Sequence, residues 1–486
     1  MLWNTNELIE ALSGELLHHN LKSEIAVNEV VIDSRKAIEN TLFFALKGEN
    51  NDGHDFLEQV FFNGCEVAII HDAELFQKNL QPSNSREILI ENYSEKKLIL
   101  VRDTFAALYK LAEYSRKKSA AKIIAITGSV GKTGTKEMLK LAFATQGKTH
   151  ATAGNLNNHI GLPLTLCNMP NDTEFAILEM GMNHLQEIEP LSKLARPHLA
   201  VITTIAPAHI GNFNNEEEIA LAKSEIFLGL EPEGLAVINR DNKYYEFLKN
   251  HALAAKIKPE NILSFGENSQ SNYCLQSLDI SSFAQSTIHA TSKNHGTISY
   301  EISSTHKATI INSLIVLACL DLTSRDIVKS LSGLKNLSAA KGRGEIIDKK
   351  LGDKNITIID DSYNANASSM KAGIEYLANL KKILNKKRSI AILGDMFELG
   401  EKSQELHEET LQSLNNLNID FALLAGDAMK NSAKVLDKKN YKTYLDAASL
   451  SLEIKDFLQD DDIILVKGSR GMKMEKVIED LGSKAQ

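Results

Sequence analysis

The chain has little of what marks a secreted, membrane-spanning or nucleic-acid-binding protein. Its four cysteines, Cys65, Cys167, Cys274 and Cys319, are spread through 486 residues without a CxxC pair, which excludes a cysteine zinc motif and a disulfide framework. They read as small buried apolar residues. No apolar run approaches the roughly 18 residues of a membrane helix. Met1-Leu2-Trp3-Asn4 begins no basic-then-apolar leader, so a cytoplasmic protein without a membrane span is expected. Positive charge is short as well: 54 Lys and Arg against 63 Asp and Glu leave a net charge of −9. That is the wrong sign for a general binder of phosphate backbones, and no nucleic-acid partner is expected. The basic triplets Arg116-Lys117-Lys118 and Lys386-Lys387-Arg388 are assigned to solvated faces. Internal repeats and low-complexity tracts are absent.

What remains is an ordinary globular composition in a chain too long for one core, since domains usually hold about 100–200 residues. Three α/β units are expected, over residues 1–101, 102–338 and 339–486. The first alternates short apolar runs with turns, at Val30–Ile32, Leu42–Leu46 and Val67–Ile70, and loops out through Gln81-Pro82-Ser83-Asn84-Ser85. Phe105, Leu108, Leu111 and Ala112 recur at helical spacing and lead into the second unit. There Ile123–Ile126, Phe175–Leu178, Leu199–Thr203 and Leu235–Ile238 are continuous apolar runs, the mark of strands buried on both faces of a doubly wound parallel sheet. The Ser/Thr-rich alternation between Ser264 and Ser303 predicts an antiparallel appendage. A helix with Ile310, Ile311, Leu314, Ile315 and Ala318 on one face follows, and then a linker at Leu337–Gly342. Strand candidates Ile356–Ile359, Ile390–Leu393, Phe421–Leu424 and Ile463–Val466 predict a smaller, Rossmann-like third sheet.

The strongest motif is Thr127-Gly128-Ser129-Val130-Gly131-Lys132-Thr133, set between an apolar strand and a helical run. In such a loop the backbone N–H groups converge on phosphates, and the helix N-terminus adds its dipole. Gly128 and Gly131 let the backbone approach closely, Lys132 is suited to the β/γ-phosphates, and the Thr133 hydroxyl to Mg²⁺. ATP or GTP is the expected ligand. Ile126 stands where the usual phosphate-loop pattern has its first glycine.

This Thr-Gly-x-x-Gly-Lys-Thr loop follows Asp33-Ser34-Arg35, Leu42–Gly48 and Asp52-Gly53-His54-Asp55-Phe56. It precedes Gly154–Pro163, Glu179–His184, Ala208-His209 and Ala222–Phe227, and later Gly342-Arg343, Asp360–Asn366, Leu393–Gly400 and Val466–Arg470. Together these segments resemble the Mur ligases along the whole chain. The last four look most like the branch that adds a D-alanyl-D-alanine dipeptide. The Asp-Arg-Asp-x-x-Lys-Arg segment of the branch adding the third residue is missing.

The resemblance implies an ATP-dependent amide-bond ligase of peptidoglycan synthesis that joins D-alanyl-D-alanine to UDP-N-acetylmuramoyl-tripeptide through an acyl phosphate. It implies Mg²⁺ held by Thr133, Glu179, His209 and a carbamylated Lys223, with Lys132 and Arg343 serving catalysis. It also implies nucleotide contacts from Asn312, Arg343 and Asp361, and substrate contacts from Ser34, Arg35, Asp52, Gly53, His54, Asn155, Asn157, Asn158, Asn364, Asn366, Lys467 and Arg470. A monomer is expected, because domains that close on their substrates need no partner. Whether the third peptide residue is diaminopimelate or lysine stays open. Asn40 occupies a place where the family often has glycine, which asparagine tolerates because it accepts left-handed geometry. The competing readings are a ligase for a different acceptor, such as a folylpolyglutamate synthase, and a nucleotide-dependent switch. A folate enzyme would lack the first unit, and Asn239-Arg240-Asp241 is not a guanine-reading motif.

Overall fold

The computed structural model describes residues 1–19, 21, 24–71, 97–282, 284–323, 326–339, 341–436 and 440–482. The expected loop at 81–85 and Ala340 of the expected linker lie outside them. Aliphatic runs set the sheets. Lys122–Thr127, Phe175–Glu179, Leu199–Ile202 and Leu235–Asn239 are strands in which nearly every residue is buried, as a sheet covered by helices on both faces requires. They lie in a nine-stranded sheet ordered Gly296–Ile302, Gln285–Ser292, Tyr273–Ser282, Ile262–Gly266, Leu235–Asn239, Leu199–Ile202, Lys122–Thr127, Phe175–Glu179 and Thr149–Ala151.

The chain leaves Lys122–Thr127 toward one side of this sheet and returns to the other. The connections therefore part at the C-terminal end of that strand, where ligands gather in open α/β sheets. The expected appendage is a hydrogen-bonded continuation of the same sheet. Tyr273–Ser282 runs parallel to Ile262–Gly266, and two antiparallel returns follow. Alternate burial along Gln285–Ser292 is the period-two pattern of a one-sided sheet.

The third sheet has the order Glu345–Leu351, Lys354–Asp361, Asp462–Lys467, Arg388–Gly394, Phe421–Ala425 and Tyr441–Tyr444, parallel except for its first hairpin. A five-stranded sheet near the N-terminus contains Glu29–Val31, Thr41–Phe44 and Val67–His71. It is anchored on the nine-stranded unit where Asn168 both accepts from and donates to the Val30 backbone, at 2.8 Å each way. Trp3 Nε1 adds a bond to the Cys167 carbonyl at 2.9 Å. All four cysteines are buried. Asn40 adopts φ +59°, the left-handed geometry that asparagine tolerates.

Two sequence expectations are corrected. The helix Lys307–Thr323 is buried nearly all round from Ile310 to Asp321, not on one face, because it packs between the Lys132–Ala144 helix and the sheet. The basic triplets are not simply solvated. Arg116 is buried and donates to the carbonyls of Ala195 (2.6 Å) and Arg196 (2.9 Å) at the end of the helix Ile188–Ala195. Arg388 forms a two-pronged pair with the fully buried Asp462, at 2.8 and 2.6 Å.

His198 leads into the Leu199–Ile202 strand. Its Nδ1 accepts from the Ile123 N–H at 3.0 Å, so this nitrogen must stay unprotonated. Burial first, then the charges of Lys122 and Arg116, hold its pKa down at about 4. A base with a depressed folded pKa leaves the unfolded state binding more protons between the two values. Stability should therefore be undiminished above about pH 6.5 and fall as the pH drops toward 4. In urea titrations across that window, His198→Asn should flatten the acid branch while keeping an acceptor for Ile123.

Candidate active site

The phosphate loop emerges from Lys122–Thr127 and turns into the helix Lys132–Ala144. Gly128 and Gly131 both have positive φ, +150° and +90°. A Cβ on Gly128 would lie 1.9 Å from Thr203 Oγ1, and one on Gly131 would lie 2.4 Å from Asn312 Nδ2. The loop is thus wedged between the next strand and the buried helix, where only glycine fits. Thr203 Oγ1 donates to the Val130 carbonyl (2.6 Å), and Ser129 Oγ donates to the Ala206 carbonyl (2.8 Å). Lys132 Nζ folds back on the Gly128 carbonyl at 2.6 Å, leaving the first-turn N–H groups open to an anion. Thr133 is half-buried in that turn.

Five of the predicted residues form one electrostatic group. Burial lowers the Lys132 pKa, with the Glu179 carboxylate opposing the shift and the Arg343 guanidinium adding to it. Lys223 is only 2% exposed on the helix Glu216–Ser224, which rules out a solvated helix lysine. Burial pushes its pKa well below the ordinary lysine value, and the charge of Lys132 pushes it further. Burial also lowers the pKa of His209, which feels both lysines and the Glu398 carboxylate. Its Nδ1 is bonded to Glu398 Oε2.

Glu179 ends its strand with one carboxylate oxygen held by Asn157 Nδ2 at 2.8 Å. The other oxygen, Oε2, and the Thr127 hydroxyl are buried with no hydrogen-bond partner. Such orphaned acceptors are costly unless a ligand satisfies them, and they face a cationic centre. The donors therefore fit a nucleotide phosphate with a hard divalent cation. Among the described residues no three His, Cys, Asp or Glu side chains cluster as metal ligands on their own, so a cation here would also need Thr133, Lys223 or phosphate oxygens.

A second group belongs to the third sheet and meets the first through Arg343. Its guanidinium stacks 4.0 Å above the Tyr363 ring, and the Arg470 guanidinium lies 5.5 Å from the same ring. Lys467, 2% exposed, pairs with Asp361 at 2.6 Å and donates to the Asn364 carbonyl at 3.0 Å. Asn364 Oδ1 accepts from the Ala365 and Arg470 backbone. Asn366 is committed to capping the helix Ala367–Ile383.

The remaining predicted residues are distributed more widely. Asn155 is exposed in a turn, and Asn158 Oδ1 accepts from the Ile160 and Gly161 N–H groups at the start of Gly161–Cys167. Ser34 and Arg35 sit in the turn Ser34–Lys36, and Asp52, Gly53 and His54 at the start of the turn Gly53–Phe56, both in the first unit; among the described residues no hydrogen bond ties them to the phosphate loop. Arg35 pairs with Asp33 at 2.7 Å, and this hydrogen bond holds the Asp33 carboxyl down at about 2. Asp52 accepts from the backbone N–H of His54 and binds its Nδ1 at 2.6 Å, while Gly53 packs against Ala45 so closely that a Cβ would lie 2.8 Å away.

Sequence reasoning did not single out Thr203, His306, Tyr363 or Glu398. His306 lies edge-on to Tyr376 and feels the charges of Asp361 and Lys467. Tyr363 and Glu398 were within quoted motifs, Thr203 ended an expected strand, and His306 stood in the His306-Lys307 pair ahead of Asn312, but none was given a role.

Three family models match: the Mur ligase family catalytic domain over 26–116, the Mur ligase middle domain over 126–320, and the Mur ligase glutamate ligase domain over 342–470. The chain belongs to the Mur ligase family. Among Mur ligases it is 35% identical over 483 residues, covering 99% of each chain, to the UDP-N-acetylmuramoyl-tripeptide--D-alanyl-D-alanine ligase of Rickettsia prowazekii. It superimposes on MurF from Acinetobacter baumannii with a TM-score of 0.81 at 29% identity, covering 99% of both chains. A MurF ligase from Thermotoga maritima in complex with ADP gives 0.75 at 25% identity, covering 94% of this chain and 97% of that one. No helix among the described residues is long and apolar enough to cross a membrane.

Gly128→Ala is expected to push the loop off Thr203 and weaken ADP binding by at least about tenfold, or roughly 1.4 kcal/mol. Calorimetric titration of the two proteins with ADP measures this directly.

Proposed function

We propose that the chain is the ATP-dependent Mur ligase that joins D-alanyl-D-alanine to UDP-N-acetylmuramoyl-tripeptide, giving the pentapeptide precursor of peptidoglycan with ADP and phosphate. The observation that carries this reading is the convergence of Lys132, Glu179, His209, Lys223 and Arg343 at the C-terminal end of the Lys122–Thr127 strand. It occurs in a chain that matches dipeptide-adding relatives over nearly its whole length. The reaction belongs in the cytoplasm, and the chain acts as a monomer because its own third unit supplies Arg343.

Amide formation from a carboxylate requires a leaving group. In this reading the terminal carboxylate of the tripeptide attacks the γ-phosphorus of ATP, the bond to the β-phosphate oxygen breaks, and an acyl phosphate forms. The dipeptide amine, having lost a proton, then attacks the acyl carbon and expels phosphate. Both steps concentrate negative charge between nucleotide and substrate, so catalysis rests on positioning and electrostatic stabilisation. Lys132 and the loop N–H groups bind the phosphates, and Arg343 brings a second cation from the third unit on closure. Mg²⁺, when bound, neutralises phosphate charge, with Thr133, Glu179, His209 and Lys223 as its protein ligands.

Lys223 suits that set only as a carbamate. Its desolvated, neutral amine can add to carbon dioxide, forming an N–C bond and releasing a proton, and the product offers an anionic oxygen where an ammonium would repel the metal. Ser129, Val130 and Asn312 complete the nucleotide site, with Asp361 near the ribose. Ser34, Arg35, Asp52, Gly53 and His54 serve the uridine diphosphate end, and Asn155, Asn157 and Asn158 the muramoyl peptide. Asn364, Asn366, Lys467 and Arg470 serve the peptide substrates, Asn366 through the helix start that it caps.

Incubation with ATP, Mg²⁺, UDP-muramoyl tripeptide and D-alanyl-D-alanine should give the pentapeptide by mass together with phosphate, and neither when single amino acids replace the dipeptide. Phosphate release with a single amino acid and the UDP-muramoyl dipeptide would move the chain to another branch of the family. Lys223→Ala should lower kcat by at least about a hundredfold. It should also abolish the carbamate carbon-13 resonance that the parent protein acquires from labelled bicarbonate.

A further inference from the structure

A second contact between the third unit and the proposed metal site, besides Arg343, is made by Glu398, a residue that the reaction scheme leaves unused. Glu398 Oε2 bonds His209 Nδ1 across 189 positions of sequence. Both are non-glycine residues with positive φ, 57° at His209 and 62° at Glu398, so each backbone is bent to present its side chain to the other. The backbones meet directly beside this pair. Gly211 N–H donates to the Glu398 carbonyl at 2.8 Å, and a Cβ on Gly211 would lie 2.8 Å from the Gly400 nitrogen.

The loop that carries Glu398 is braced. The Asp395 carboxylate accepts from the Ala428 and Met429 N–H groups at 3.2 and 2.8 Å. His407 Nε2 accepts from Met396 N–H at 2.9 Å, and Ser469 Oγ accepts from Phe397 N–H at 2.8 Å. An ordinary surface ion pair joins two free side chains. Here the Glu398 side chain is still about half-exposed, but the loop that carries it is braced and sits beside a glycine-to-glycine docking point.

We propose that Glu398 is a positioning residue for His209. By accepting from Nδ1–H, its carboxylate keeps the imidazole in the tautomer whose Nε2 lone pair is available to the divalent cation, and it does so only when the third unit is docked. Carboxylate–histidine–metal arrangements orient ligands in this way. Closure would then deliver Arg343 toward the phosphates and fix His209 in the same movement. The inference rests on His209 being a metal ligand, as proposed above.

The test uses the full chain with ADP and Mn²⁺ as a paramagnetic probe, reading bound Mn²⁺ by electron paramagnetic resonance and following turnover separately. Glu398→Ala should weaken Mn²⁺ binding by about tenfold and lower kcat with little change in the KM for ATP. Glu398→Gln keeps an oxygen acceptor for Nδ1–H and should recover most of both. Gly211→Ala, which blocks the docking point, should behave like Glu398→Ala. Unchanged Mn²⁺ binding in Glu398→Ala, beside weakened binding in His209→Ala, overturns this inference alone. Unchanged binding in His209→Ala overturns it together with the ligand assignment, and a parent protein that makes no pentapeptide defeats the reading of function itself.

Discussion

The desolvation of basic groups crowded together is the constraint on which the site depends. Lys132 and Lys223 are brought near each other, Arg343 adds a third cation from a separate sheet, and Glu179 stands opposite Lys132. Removing ammonium groups from water is expensive, and crowding them is more so. A protein that accepts this cost holds a place where anions bind strongly, because any phosphate that enters relieves several unfavourable terms together. The desolvated Lys132 and the open amides of the first helical turn suit an anion, and the orphaned oxygen of Glu179 beside them suits a cation.

The fold supplies the rigidity that such a site needs. Parallel strands end on one line, so Thr127 and Glu179 issue from neighbouring strands and Thr203 closes the loop from the other side. The Lys307–Thr323 helix, buried nearly all round from Ile310 to Asp321, sets Asn312 against Gly131. Buried Glu225, accepting from the N–H groups of Gln186, Ile188 and Glu189, fixes the helix start beside the Lys223 segment. These contacts place backbone and side chain where water would otherwise have to reorganise during the reaction.

The third sheet meets this centre in two ways. Arg343 and Arg470 share the Tyr363 face, and Lys467 is neutralised by Asp361, so the cations of this unit are held ready on aromatic and carboxylate supports. The glycine contact at Gly211 and Gly400 sets how near the units can approach.

Much of this was legible in the sequence because it is local. Twelve-residue stretches carry strand–loop–helix grammar, and the phosphate loop, the continuous apolar strands and the Asp360–Asn366 turn speak for themselves within a few residues. The family resemblance then pointed to Glu179, His209 and Lys223. Tertiary structure alone decided that Lys223 is buried rather than solvated, that Arg116 and Arg388 are satisfied inside the protein, and that the Lys307–Thr323 helix has no exposed face. It alone joined Glu398 to His209 and Arg343 to the field of Lys132. The reason is physical: loop geometry and periodicity follow from neighbours in the chain, whereas desolvation, electrostatic coupling and docking depend on partners far away in sequence, 74 residues for Arg388 and Asp462 and 189 for His209 and Glu398.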